Sequence, residues 1–185
     1  MNRISEISRR FVTVRSYADV CEFFFGCITD TTLYPLDPAI QLYLAQLLAH
    51  FSHMKPVQMM QEAESPNISW PYLRDAARKI YAYQDQPIEA TYSPFKADVP
   101  LKAIGDYALF VVGIFPEFAD KRSTISYFMT MGSIAYRIHA HDQSVISDEQ
   151  AKVYFALSSK FASCVHALWD VRDRWDNAQI LPISS

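Results

Sequence analysis

The 185-residue sequence predicts an all-α fold: a single-domain bundle of six or seven helices with a long C-terminal helix. Three observations carry that expectation. Glycine is scarce, with four in the chain, so the tight turns of an all-β fold lack their usual residues. Nine of the ten prolines lie at or before Pro116, which leaves residues 117–181 without proline and, apart from Gly132, without glycine. Between these breakers apolar residues recur at alternating three- and four-residue spacing, the period of an amphipathic helix.

The elements follow in order. Residues 1–15 carry Arg3, Arg9, Arg10 and Arg15 against Glu6 alone. They read as a basic N-terminal helix or tail with a solvated arginine face, a composition shared with transit peptides and membrane-surface arms. Ser16 with Asp19 caps a helix through Val20, Phe23, Phe24, Cys27 and Ile28. Asp37-Pro38 is an N-cap followed by a proline whose fixed φ suits the first helical turn. Ile40, Leu44, Leu47, Phe51 and Met54 then mark one face until Lys55-Pro56 stops the helix. Residues 57–63 add a short helix, and Trp70-Pro71 opens another with Leu73, Ala76, Ala77 and Ile80 inside it. Residues 84–98 contain two prolines and no helical period, and read as a surface loop.

Pro100 begins a helix with Leu101, Ile104, Ala108, Val111 and Phe115 on one side and Leu109, Phe110 and Gly113 on the other. A helix apolar nearly all round belongs in the centre of a fold. Asp120 or Ser123 starts the next, which runs to about His141 through Ile125, Phe128, Gly132 and Ala135. Ser147 with Gln150 has the form of a capping box. Beyond it Tyr154, Leu157, Phe161, Cys164, Leu168, Val171 and Trp175 form one stripe, which predicts a continuous helix over 148–176 of about 43 Å.

Composition narrows the functional classes. Half of the residues are hydrophobic and 20% are charged, which excludes disorder as the main state. A formal charge of −3 argues against a partner with a phosphate backbone, so no nucleic acid is expected. The three cysteines, Cys21, Cys27 and Cys164, form no CxxC pair and fit reduced thiols in a cytoplasmic protein. Glu22 interrupts the only early apolar run, and Asp106 interrupts the longest, so neither a secretory leader nor a transmembrane segment is expected.

Asp106 is the residue most out of keeping with its surroundings. It is the single charged residue in 103–116 and projects on the face of Leu109, Phe110 and Gly113. A carboxylate there must be hydrogen-bonded, ion-paired or protonated, because an unpaired buried charge costs several kcal/mol. It is either a structural carboxylate bonded to a Tyr, Ser or Arg of the next helix, or a ligand anchor or general base. Gly105, Gly113 and Gly132 cost about 1 kcal/mol each in helix propensity, and are explained by close approach of helix backbones.

The run Gly105-Asp106-Tyr107-Ala108-Leu109-Phe110, followed by Gly113-Ile114-Phe115-Pro116-Glu117 and then by Tyr127, Gly132 and Ala135-Tyr136, resembles a family of uncharacterised bacterial all-helical proteins. Their signature is G-D-x-x-L-F-x-x-G-x-F-P-E. The resemblance covers residues 101–137, with a looser match near Leu42 to Phe51. It implies a bacterial origin and directs attention to the same helix pair. It brings no activity with it.

Two functional expectations follow. The first is a non-catalytic protein acting through a protein partner or as a homo-oligomer, with no cofactor. Its support is the aromatic load of twelve Phe, eleven Tyr and three Trp, together with the lack of catalytic signatures. No GxSxG elbow, glycine-rich phosphate loop or HExxH motif occurs. The second is a small-ligand-binding protein or enzyme with an acidic and tyrosine-lined pocket formed by Asp106, Glu117, Tyr127 and Tyr136. A metal site at His139, His141 and Asp142 is a third alternative, set against the ordinary role of histidines near a helix C-terminus.

Overall fold

The computed structural model describes residues 16–30, 35–52, 64–65, 68–69, 101–122, 124–144 and 146–178. The expected elements at 1–15, 57–63, the helix opening at Trp70-Pro71 and the loop 84–98 lie outside the described residues. Seven helices occur within them: α1 (Tyr17–Thr29), α2 (Pro38–Ser52), α3 (Leu101–Ile114), α4 (Pro116–Arg122), α5 (Ile125–Gln143), α6 (Asp148–Ser159) and α7 (Phe161–Ala178). The fold is all-α. Among the described residues the exception to the helical pattern is a minimal antiparallel pair, β1 (Glu64–Ser65) and β2 (Ile68–Ser69), with Glu64 opposite Ser69.

Both arms of the predicted capping box form at the start of α1. The Asp19 amide donates to Ser16 Oγ at 3.2 Å and the Ser16 amide donates to Asp19 Oδ2 at 2.9 Å, which satisfies two otherwise free donors. Val20, Phe24 and Ile28 recur every four residues and bury against α2, whose inner face is Ile40, Leu44, Leu47 and Leu48. Pro38 opens α2 as expected, but the side chain of the preceding Asp37 reaches across to Lys160 Nζ at 2.6 Å. That exposed pair holds the Asp37 carboxyl below its usual range, the Lys160 hydrogen bond being the main cause.

The middle helix is as central as its composition predicts. Residues 108–113 of α3 are all buried, with α5 packed along one side and α7 along another. Gly132 makes the α3–α5–α7 contact close: a Cβ there would lie 2.9 Å from Ala108 Cβ and overlap the Phe161 ring. Trp169 of α7 donates its indole N–H to the Val112 carbonyl at 2.8 Å. That carbonyl would otherwise bond the amide four residues on, which is Pro116 and has no N–H. The proline ends α3, starts α4 and leaves an acceptor that the tryptophan fills.

Three expectations are corrected here. First, the C-terminal helix is not continuous over 148–176, since Lys160 leaves the helical conformation at φ −106° and ψ 20° and separates α6 from α7. The cause lies in a serine pair: Ser133 Oγ donates to the Ser158 carbonyl at 3.0 Å while Ser158 Oγ donates back to the Ser133 carbonyl at 2.8 Å. The Ser159 hydroxyl turns onto the Ala156 carbonyl, and such back-bonding bends helices. Second, neither Asp120 nor Ser123 starts α5; Thr124 does, with Oγ1 accepting from the Tyr127 amide at 3.1 Å. Third, α4 was not anticipated, because seven residues are too few to show a period.

The cysteines are free. Cys164 is buried, and burial pushes its thiol up to about 12; Cys27 is pushed up to about 11, mainly by burial and then by the Asp30 charge. Among the described residues no helix is long and apolar enough to cross a membrane.

Replacing Gly132 by alanine tests the close packing. Overfilling the contact costs about 1–3 kcal/mol, and about 1 kcal/mol returns as helix propensity. A net loss of about 0–2 kcal/mol in urea unfolding is expected; a stabilised Gly132→Ala protein would show that α3 and α5 are not so close.

Candidate functional site

Asp106 lies on the face of α3 that turns toward α2 and α5, and its carboxylate collects three donors. Tyr43 of α2 donates its hydroxyl to Oδ1 at 2.5 Å, and Tyr136 of α5 donates to the same oxygen at 2.7 Å. Lys102, one turn earlier on α3, donates to Oδ2 at 2.5 Å. An ionised carboxyl offers about four lone-pair positions, so about one remains open, on the oxygen that faces Lys102. The side chain keeps 14% of its exposure. The Asp106 reading as a paired carboxylate bonded to a tyrosine of the next helix is what the geometry displays.

Gly105 is what admits Tyr136. The Tyr136 ring lies where a Cβ on residue 105 would sit, 2.6 Å from the nearest ring carbon, so any side chain there would push the hydroxyl off Asp106. Tyr136 is fully buried and Tyr43 half-buried, and Tyr154 of α6 completes a cluster. Its ring meets Tyr43 edge-on at 5.8 Å and stacks on Tyr136 at 6.0 Å. Burial raises the hydroxyl pKa of Tyr43 and Tyr136 well above the ordinary value, and the Asp106 charge adds to it. Tyr154 is raised as well, again mainly by burial. The hydroxyls therefore remain protonated donors wherever the protein is folded near neutral pH.

A pocket of about 510 Å³ opens on this cluster. Asp106, Lys102, Tyr43 and Tyr154 are among its lining residues. Leu47 and Val153 supply apolar wall, while Tyr17, Gln46, His50 and Gln150 complete the lining with polar groups. Tyr17 is anchored by its hydroxyl to the Gln46 carbonyl at 3.1 Å, which fixes one edge of the opening to α2. The lining offers one carboxylate, one ammonium, one imidazole, two amides and three phenols, groups that can act through charge, hydrogen bonds and aromatic surface.

Of the four residues expected to converge, the structure brings together Asp106 and Tyr136. Glu117 is exposed on α4, where it pairs with Arg172 Nη1 at 3.4 Å. It stands eleven residues beyond Asp106, about 16 Å along the chain direction, past the break at Pro116. Tyr127 is nine residues before Tyr136 on the same helix, which is two and a half turns and so the opposite face; its ring meets Phe128 at 5.9 Å. Among the described residues no three His, Cys, Asp or Glu side chains assemble as a metal site, which includes His139, His141 and Asp142. His139 instead packs edge-on against Tyr154 at 4.5 Å, and desolvation lowers its pKa, with Lys102 adding to that and Asp142 and Asp106 opposing it.

Comparisons with protein-family models, curated proteins and solved structures find no match. The likeness of residues 101–137 to bacterial helical proteins therefore carries no family assignment, and the site stands on its geometry.

Two predictions follow from this geometry. Tyr136→Phe removes one donor from Asp106 and costs about 1 kcal/mol, whereas Asp106→Ala removes the acceptor that both tyrosine hydroxyls share and costs about 2–3 kcal/mol. Equal losses in urea unfolding would show that the network is not shared. The second concerns His139, whose pKa is lower folded than the 6.5 of the unfolded chain. The unfolded state then binds more protons below pH 6.5, so this group's stabilising share is complete above pH 6.5 and is lost as pH falls through the folded value. His139→Gln flattens that part of the stability profile; an NMR titration placing His139 above 6.5 would refute it.

Proposed function

We propose that the protein binds a small ligand in the pocket over Asp106. The observation that carries this reading is a carboxylate held by two tyrosine hydroxyls from two other helices in the lining of a cavity. The cavity's volume lies within the range of about 300–1,000 Å³ usual for small-molecule sites, and its lining is mainly polar, with Leu47 and Val153 as apolar wall.

The test is a ligand-observed NMR screen of fragments of mixed charge, repeated on Val153→Trp, which fills the cavity. Fragments of ten heavy atoms bind such sites at about 0.3 kcal/mol per atom, which is a Kd of a few mM. The expected outcome is mutually competitive fragments lost together in Val153→Trp. Fragments indifferent to that substitution, or none at all, would remove the reading.

A second reading, contact with a protein partner or a second copy, is favoured by a different surface. Phe115 and Phe118 are exposed at 45% and 39% one turn apart, and Phe115 continues an aromatic series through Phe110 to Phe51. Light scattering on wild type and on Phe115→Ser/Phe118→Ser separates the cases: a mass above one chain that the double variant restores to one supports association through this surface.

A further inference from the structure

We propose that the ligand class of the pocket is a small primary ammonium, which takes the place held in this structure by the Lys102 ammonium between the Tyr43 ring and the Asp106 carboxylate. The inference rests on the pocket reading above and names the chemistry of its ligand.

Lys102 Nζ lies 2.5 Å from Asp106 Oδ2 and 5.4 Å from the centre of the Tyr43 ring. That is a cation seat: a carboxylate for charge and hydrogen bonding, and an aromatic face for the ring quadrupole. The seat is fixed and its occupant is not. Asp106 is held on Oδ1 by Tyr43 and Tyr136, and its side chain keeps 14% of its exposure. Lys102 keeps 49% on a flexible four-carbon stem, and nothing but one i,i+4 pair and the ring contact holds its head there among the described contacts. Exposed pairs of this kind contribute little, so the stem swings into solvent at small cost.

Other ligand classes fit less well. An anion seeking Lys102 would meet the Asp106 carboxylate on the same oxygen side, and like charges at that range repel. A neutral ligand would leave Lys102 seated and fill only the outer cavity. A primary ammonium reproduces the hydrogen bond Lys102 makes, has two further donors for the open lone pair on Oδ2 and for solvent, and brings a carbon body to Leu47 and Val153. The cavity of about 510 Å³ has room for that body as well as the charged head. Because burial keeps the surrounding tyrosine hydroxyls protonated, the seat presents one negative charge and no second.

The experiment compares three probes of one shape: 2-phenylethylammonium, 2-phenylethanol and 3-phenylpropanoate. Each is titrated into the full chain at low salt and followed by amide chemical shifts. The ammonium is expected to bind about tenfold or more tighter than the alcohol, and the acid weakest. Lys102→Met removes the tethered competitor and is expected to tighten the ammonium about two- to fivefold, whereas a lysine that helped to hold ligand would give the reverse. Asp106→Asn is expected to abolish the preference for ammonium over alcohol. Equal binding of alcohol and ammonium, tighter binding of the acid, or a Lys102→Met protein with unchanged or weaker ammonium affinity would overturn the proposal and leave the pocket standing. Failure of all three probes, where the mixed fragments bind competitively, overturns the ammonium assignment alone; failure of fragments and probes together overturns the pocket as well.

Discussion

The Asp106 carboxylate is the constraint around which the inner half of this fold is arranged. It draws one hydroxyl from α2 and one from α5 onto a single oxygen, so three helices distant in sequence share one hydrogen-bonding centre. The sequence separations are 63 and 30 residues, and nothing local in the chain would hold those helices in that register. Apolar packing alone is tolerant of small slides between helices, because hydrophobic contact is non-directional. Hydrogen bonds of 2.5 and 2.7 Å to one oxygen are not tolerant of them. The cost of partly burying the charge is offset chiefly by these two buried donors, while Lys102 meets the carboxylate from the cavity side.

The same logic of supplying a partner where the backbone is interrupted recurs elsewhere. Pro116 removes a donor from the end of α3, and Trp169 restores one to Val112 from a different helix. Ser133 and Ser158 exchange hydroxyl bonds with each other's carbonyls across α5 and α6, close to the point where α6 gives way to α7. Lys160, at that joint, spans to Asp37 at the start of α2. Each interruption thus becomes a tie between elements, and buried backbone groups there are satisfied by side chains instead of helix neighbours.

How far this was legible in the sequence depends on the range of the interaction. The helix period, the caps at Ser16 and the central place of the 101–114 segment are local, and all appear as expected. Asp106 could be singled out because a helical projection shows one acid on an apolar face, and the rule that buried charges are paired pointed to a Tyr, Ser or Arg of the next helix without choosing among them. Tyr43 could not be found this way, since a projection of α2 says which face is inward but not which residue of α3 it meets. Lys102 was within reach, being one turn from Asp106. Grouping Tyr127 with Tyr136 failed on arithmetic the sequence does contain, because nine residues on a helix reverse the face. The joint at Lys160 was hidden by the apolar stripe, which keeps its phase straight through the break; Ser158-Ser159 was the only cue.

The pocket follows from how the carboxylate is satisfied. Three donors from α2, α3 and α5 converge on Asp106, yet α6 contributes no donor to it: Tyr154 reaches the cluster through its ring, against Tyr43 and Tyr136. Aromatic edges and faces pack at 5.8 to 6.0 Å between ring centres here, so α6 stands off from the charged group instead of closing over it. The gap between Tyr154, Val153 and Gln150 on one side and Tyr43 and Leu47 on the other is the cavity. A leucine at 154 would lose the edge-on contact with Tyr43 and the stacking on Tyr136 that place those two rings beside Asp106. The three tyrosines therefore divide the work by position: the buried hydroxyl of Tyr136 anchors the carboxylate, Tyr43 anchors it and lends its ring face to the cation, and Tyr154 holds the cavity open beside both.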